Sequence, residues 1–443
     1  MISRLVDRFS GSSLGAQAAR GTMWTTMGFS LSYAVRLFST LLLTRILAPD
    51  VFGLMSLGAV FLSAAVMFSD LGTGPSIVRS PRGDDPDFLR TAWTIQAIRG
   101  AGITLLLCVV AWPLSRLYDE PTLFPLLCAV SLTALIDGFG TISIATSQRH
   151  LRLFQLTTLD FIGQISTTAI NVLAAWQLQS VWALVIGSLS GCVIRLVIGH
   201  LWLPRFDHRF RMEREALNEI VNFGRWLLLA TFFTYLGGRG IQAMMGTLVD
   251  LKELGFITIA TTLAWALGEL IQKILGSVFF PSLSRIYRER PQDLYRSIGK
   301  VKRVITFGVL PVFFLLALLG QPLVDLLYDP RYAKVGAYLS LFAINGSITV
   351  VSLPYQNMFL VTGDARFHSV FMFCGSAAKL IGLFVGFHLF GTYGMVVGLG
   401  MGSLAAVIAA VIWAQRKGFA HLKQDALSFS AILLLVLYTW EQL

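Results

Sequence analysis

GTMWTTMGFSLSYAVRLFSTLLLTRILAPDVFGLMSLGAVFLSAAVMFSDLGTGPSIVR, residues 21–79, decides the fold. Two apolar runs, 22–47 and 51–69, flank one short polar turn. Each is about as long as the roughly 20 residues that carry a helix across a bilayer. Working outward, runs of the same kind recur at 91–112, 122–146, 154–175, 181–203, 222–248, 254–281, 304–327, 335–361, 369–390 and 395–414. Hydrophobic residues make up 55% of the 443-residue chain and charged residues 13%, against about 25% charged in a soluble domain. The reading is an all-α polytopic membrane protein of twelve spans. It has thirteen if the short run Ala426 to Trp440 crosses the bilayer rather than lying at the interface.

The lead-in MISRLVDRFSGSSLGAQAARG lacks an apolar core followed by a small-residue cleavage site, so it reads as an amphipathic cytoplasmic segment and not a secretory signal. Cys108, Cys128, Cys192 and Cys374 all fall within runs, which predicts no disulfide framework. The six histidines are scattered, and neither a metal nor a cofactor is expected. The net charge of +11 invites a nucleic-acid partner. Its placement argues otherwise. The N-terminus and the loops after even-numbered runs, including Arg79, Arg82, Arg90, Lys302 and Lys423, hold 23 basic residues, and the opposite loops hold five. Positive charge marks the cytoplasmic side, so both termini are expected inside.

The chain repeats itself. Trp24 and Trp226, and Gly53 of LAPDVFG (47–53) and Gly255 of VDLKELG (249–255), are each 202 residues apart. RLYDEP (116–121) has its counterpart in LLYDPRY (326–332). Six runs per half in the same orientation predict two six-helix bundles related by a pseudo-two-fold along the membrane normal, with a substrate site between them. The expected organisation is an N-terminal lobe 1–203, a basic cytoplasmic linker 204–221 long enough for a connecting helix, a C-terminal lobe 222–414, and a cytoplasmic segment with a short apolar helix, 415–443. Every outside loop is short, and the longest cytoplasmic loop is 282–303.

The LTR-x-L-x-P-x-x-FG turn and the DLG that follows within 21–79, together with SVWALVIGSL (180–189) and FFPSLSRIYRE (279–289), resemble the polysaccharide-transport flippases of the multidrug/oligosaccharidyl-lipid/polysaccharide exporter superfamily. The resemblance covers roughly the whole chain. It implies two bundles around a central cavity, a bacterial inner-membrane location, and outward movement of undecaprenyl-diphosphate-linked glycans for exopolysaccharide or O-antigen synthesis. The implied partners are that lipid-linked oligosaccharide, membrane lipids and glycan polymerase or assembly proteins. One departure stands out. An acid followed by a base is the family's pattern in the seventh run, where this chain has Ile241 and Gln242 behind Arg239.

Charges inside spans are expensive and face cavities. Arg36 and Arg239 lie deep in their runs, 12 and 13 residues after Trp24 and Trp226, and are expected to bind substrate, as is Lys379. Arg99, Arg195 and Lys273 are further substrate-binding candidates; the first two lie near cytoplasmic ends, where snorkelling is cheap. The basic excess over Asp137, Asp160 and Glu269 favours an anionic ligand, because guanidinium donors match phosphate oxygens. Gln96, Gln164, Asn171 and Asn345 are candidates for sugar hydroxyls. Glu269, four residues from Lys273, and Asp160 are the expected ion-coupling acids. Pro311 and Pro354 are expected to kink their helices, and Asp70 to cap the helix after DLG.

Three other readings compete. A drug exporter of the same superfamily would favour acids and aromatics in its cavity. A polymerase or ligase for lipid-linked glycans would need a sizeable outside loop and a catalytic acid or base. An uncoupled scramblase fits the same sequence.

Overall fold

A computed structural model describes residues 14–150, 152–274, 283, 286–287, 289–362 and 365–440. Every regular element among them is helical. The chain forms two compact units, Met1–Tyr235 and Leu236–Leu443.

In the first unit α1 (Leu14–Ile46) and α2 (Pro49–Phe68) meet at the polar turn. Short α3 (Thr73–Arg79) follows DLG, where the Asp70 carboxylate accepts a hydrogen bond from the Gly72 N–H at 2.9 Å. Then come α4 (Pro86–Leu117), α5 (Leu123–Gly138), short α6 (Ser143–Arg149), α7 (Leu153–Leu178) and α8 (Val181–Trp202). Between lipid-soluble surfaces no hydrophobic force drives packing, so helices associate through small residues that let backbones touch. At the crossing of α4 and α5, a Cβ on Gly100 would stand 2.5 Å from the Ala134 carbonyl. Leu89, Ala92, Trp93, Ile95 and Ile142 form the core near the 72–90 loop.

The basic joint differs from the expected helix. Residues 203–213 are not helical; they run as an extended strap before α9 (Arg214–Gly237). The reason is side-chain satisfaction from the bundle. Thr94 and Thr91 hydroxyls accept the Arg211 and Glu213 N–H groups at 3.0 Å each, Ser143 donates to the Pro204 carbonyl, and Arg82 and Arg90 pair with Glu213 and Asp207. A helix would have to take those backbone groups for itself.

In the second unit α10 (Arg239–Leu248) starts at a break at Gly238, and α11 (Leu251–Ile274) follows. Residues 275–281 of run 254–281, and 282, 284, 285 and 288 of the loop 282–303, lie outside the described residues. Next, α12 (Leu294–Val304) passes through a π-turn at Ile305–Val309 into α13 (Leu310–Leu318), with Pro311 in its first turn, and α14 (Gly320–Leu327). Helix α15 (Lys334–Val361) runs through Pro354 without losing helical assignment. The runs 369–390 and 395–414 lie in α16 (Ala365–Arg416), two helices that meet at a sharp break at Phe390–Gly391, where Gly391 takes φ +65°. Gly382 and Gly386 then lie against Gly398 and Gly394, backbone on backbone, a small-residue seam of the GxxxG kind. The short apolar run is a full helix, α17 (Leu422–Trp440).

By length and composition six described helices can each cross a membrane, and a seventh if α5 and α6, bent by 59°, form one span. The chain is thus a multi-pass helical membrane protein. The count covers the described residues and takes α16, which holds two of the runs, as one helix; run 122–146 is broken between Gly138 and Ser143, and run 222–248 at Gly238.

Candidate functional site

Within the first unit a cavity of about 330 Å³ opens between α2, α4, α5, α6 and α8. Gln96, Arg99, Gly100 and Ile103 all line it, which is the i, i+3, i+4, i+7 spacing of one helix face. Gly100 and Gly138 line it too, so the close crossing of α4 and α5 forms part of its wall. Arg195 of α8 and Asp137 at the end of α5 complete its charged lining.

The two arginines are held inward. Arg99 donates to the Val66 carbonyl at 2.6 Å and the Ser69 hydroxyl at 3.0 Å, with the Asp70 carboxylate 3.5 Å away. The carboxylate that caps the DLG turn therefore also orients Arg99. Arg195 lies between two acids, 3.0 Å from Asp160 and 3.7 Å from Asp137. Gly163 of α7 lies beside it; a Cβ there would make ordinary contact with the Arg195 side chain. Gln96 donates to the Asp137 carbonyl at 3.0 Å, fixing the α5 end beneath the cavity. Two guanidinium groups here face three carboxylates, Asp70, Asp137 and Asp160, so an anion gains their forked donors only as those carboxylates are protonated or released.

The other sequence candidates lie elsewhere. Arg36 is exposed on α1, its guanidinium 4.3 Å from the Tyr33 ring centroid. Arg239 opens α10 and donates to Gln242 at 3.1 Å. Lys379 is half-buried in α16, where Gly402 packs on its backbone. Glu269 is exposed on α11, and the Lys273 side chain lies outside the described side chains. Gln164 bonds Thr168, while the buried amide oxygens of Asn171 and Asn345 lack hydrogen-bond partners among the described residues. No group of three or more His, Cys, Asp or Glu suited to a metal occurs among the described residues.

Two clusters escaped the sequence reading. Lys302, counted there as a loop charge, is buried and paired with Asp425 of α17; Tyr355 accepts from Lys302 at 2.8 Å and donates to Asp425 at 2.7 Å. Glu253, inside VDLKELG, is buried and accepts from Tyr338 at 2.5 Å and Lys334 at 3.2 Å. A helical pattern places an acid or base on a face, but it does not say which distant helix supplies its partner.

These features are those of a multi-pass helical membrane protein with a charged cavity in its first unit. The family described as "Polysaccharide biosynthesis protein" matches residues 42–337, more than half of the chain, and the chain belongs to it. It is 22% identical over 404 residues to the lipopolysaccharide biosynthesis protein WzxC of Escherichia coli K12, covering 85% of this chain and 79% of that one. It is 20% identical over 339 residues to the succinoglycan biosynthesis transport protein ExoT of Rhizobium meliloti, covering 76% and 68%. The lipid II flippase MurJ in an inward closed conformation shares the fold with TM-score 0.73 and 11% identity, covering 95% of this chain and 93% of that one. An outward-facing multidrug MATE transporter does so with TM-score 0.60 and 16% identity, covering 93% and 96%.

Proposed function

We propose that this protein is a flippase that carries an undecaprenyl-diphosphate-linked oligosaccharide from the cytoplasmic to the periplasmic leaflet of a bacterial inner membrane by alternating access. The observation that carries the reading is the pair Arg99 and Arg195 in one cavity inside a membrane bundle. Guanidinium groups inside a membrane face a cavity or pair with acids; these do both, and a diphosphate is the concentrated anion that their forked donors fit. Kinship with proteins named for lipopolysaccharide biosynthesis and succinoglycan transport supports the substrate class.

In this account Arg99 and Arg195 hold phosphate oxygens, with Arg36, Arg239, Lys379 and Lys273 as further cationic contacts along the route. Gln96 stands beside them for sugar hydroxyls. The N-terminus is cytoplasmic, and twelve helices form two six-helix lobes, 1–203 and 222–414, joined by 204–221. Coupling falls to Asp160, which shares Arg195 with Asp137, and to Glu269. Two carboxylates around one arginine leave room for one exchangeable cation or proton. Polymerase and assembly proteins would receive the flipped product.

Binding tests this reading. Purified protein should bind a short-chain polyprenyl-diphosphate sugar, and Arg99→Ala/Arg195→Ala should weaken it about 10–100-fold, the loss expected for a charge-assisted hydrogen bond worth about 1.5–3 kcal/mol. Equal affinity for the uncharged polyprenol sugar would refute the phosphate assignment.

A further inference from the structure

A second cavity, of about 230 Å³, lies in the first unit between the 80–90 loop, α6 and the start of the strap. Its wall contains two arginines, Arg152 and Arg205, together with His150, Ser147, Asp84 and Phe206. The surrounding cations are committed: Arg82 to Asp85 and Glu213, Arg90 to Asp87 and Asp207, Arg149 to Asp84, Arg209 to Asp207, and Arg211 to Asp87. The guanidinium groups of Arg152 and Arg205, by contrast, make no hydrogen bond or ion pair among the described residues. Ser147 provides an independent sign. It is 1% exposed, lines the same cavity, and its hydroxyl has no hydrogen-bond partner among the described residues. A buried hydroxyl left unpaired costs free energy that a bound acceptor recovers.

We infer that this cavity is a binding site for a phosphate group, held by Arg152 and Arg205 with the Ser147 hydroxyl donating from below. Asp84 does not spoil it. Its carboxyl, held below the usual range by hydrogen bonds from His150 and Arg149, is already engaged by the His150 ring and the Arg149 guanidinium. The apolar lining from Leu89, Ile142 and Phe206 accommodates a glycerol or acyl stub, which makes the phosphodiester of an anionic membrane lipid one source and free phosphate the other. The site is separate from Arg99 and Arg195 and stands whether or not those bind substrate.

The test uses full-length protein in a neutral detergent, titrated with dihexanoyl phosphatidylglycerol, dihexanoyl phosphatidylcholine or sodium phosphate, reading the saturable rise in unfolding temperature. Phosphatidylglycerol should stabilise and phosphatidylcholine should not. Arg152→Ala/Arg205→Ala should raise the half-saturating concentration about tenfold or more, and Ser147→Ala should raise it by a smaller factor. Arg209→Ala, which removes an equally exposed but already paired charge, should leave it unchanged. Matching saturation by sodium phosphate identifies free phosphate as the ligand, and its failure identifies the lipid head group. Equal stabilisation by phosphatidylcholine, or an unaltered titration in the double variant, overturns the site.

Discussion

Substituting Asp425 tests whether the last helix is a packed part of the second unit. Lys302 and Asp425 are each only 3% exposed at the side chain, so neither charge can fall back on water. Tyr355 bonds both, and the His421 N–H donates to the same phenol oxygen at 3.1 Å. Removing one member of such a pair strands the other in a low-dielectric interior, at about 3–5 kcal/mol. Asp425→Ala should therefore destabilise by about that amount. Lys302→Met/Asp425→Leu removes both charges and should be neutral to mildly stabilising, by up to about 4 kcal/mol. Tyr355→Phe, which leaves the pair but deletes its hydroxyl, should cost about 1–3 kcal/mol. Equilibrium unfolding in mixed micelles reads all three, followed by fluorescence of Trp413, which packs in the adjoining core cluster with Tyr355. Limited proteolysis should show Leu422–Trp440 released in Asp425→Ala and retained in the double variant. A single variant within about 1 kcal/mol of wild type, or a double variant as unstable as the single, would refute the buried-pair reasoning.

The remaining predictions concern the strap, the glycine seam and orientation. His208 takes hydrogen bonds from Ile142 N–H and, at the same nitrogen, stands 3.3 Å from the Thr141 hydroxyl, so the docked ring is neutral there. Burial holds its pKa below the ordinary 6.5. Docking stability is then present above 6.5 and is lost as pH falls through the lower folded value. The protection of 203–213 against hydrogen exchange, relative to intrinsic rates, should fall on going from neutral to acidic pH, and His208→Phe should abolish that pH dependence. Gly398→Val, whose Cβ would stand 1.8 Å from the Gly382 carbonyl, should destabilise by about 3 kcal/mol or more or prevent folding, seen as loss of a monodisperse peak in detergent; normal yield and stability would contradict the seam. With the four native cysteines replaced, Glu120→Cys should react with an impermeant thiol reagent in intact cells and Arg416→Cys only after permeabilisation; the reverse pattern overturns the proposed orientation.

Much of the helical layout was legible. Apolar runs locate spans because lipid allows few alternatives for backbone hydrogen bonds, and the turn before Pro49 and the boundary before Val181 fall where the runs predicted. Breaks were less visible, because Gly238 and the Gly138–Ser143 bend lie inside continuous apolar sequence and depend on tertiary packing. Charge was the weakest guide. Lys302 reads as a loop cation because its neighbours Lys300 and Arg303 are exposed, yet one helical turn rotates it into the core toward Asp425. Arg99 and Arg195 ranked as candidates near helix ends where snorkelling is cheap; the Val66 carbonyl holds the first, and Asp160 and Asp137 flank the second. A signal for Arg99 was present in the spacing 96, 99, 100, 103, a single face mixing Gln, Arg and Gly with Ile. The partner of Arg195, 35 residues away on another helix, left no such mark.

The most direct measurement of the central claim is translocation in proteoliposomes. Purified protein is reconstituted with a fluorescent undecaprenyl-diphosphate oligosaccharide on one leaflet, and its appearance on the other is followed by accessibility to an impermeant quencher, with and without proton and sodium gradients. Wild type should translocate it, Arg99→Ala/Arg195→Ala should lose most of the rate, and Arg→Lys at both positions should recover only part, because lysine lacks the bidentate fork. Translocation by the double alanine variant at the wild-type rate, or equal rates for the same sugar on an uncharged polyprenol, would contradict the account.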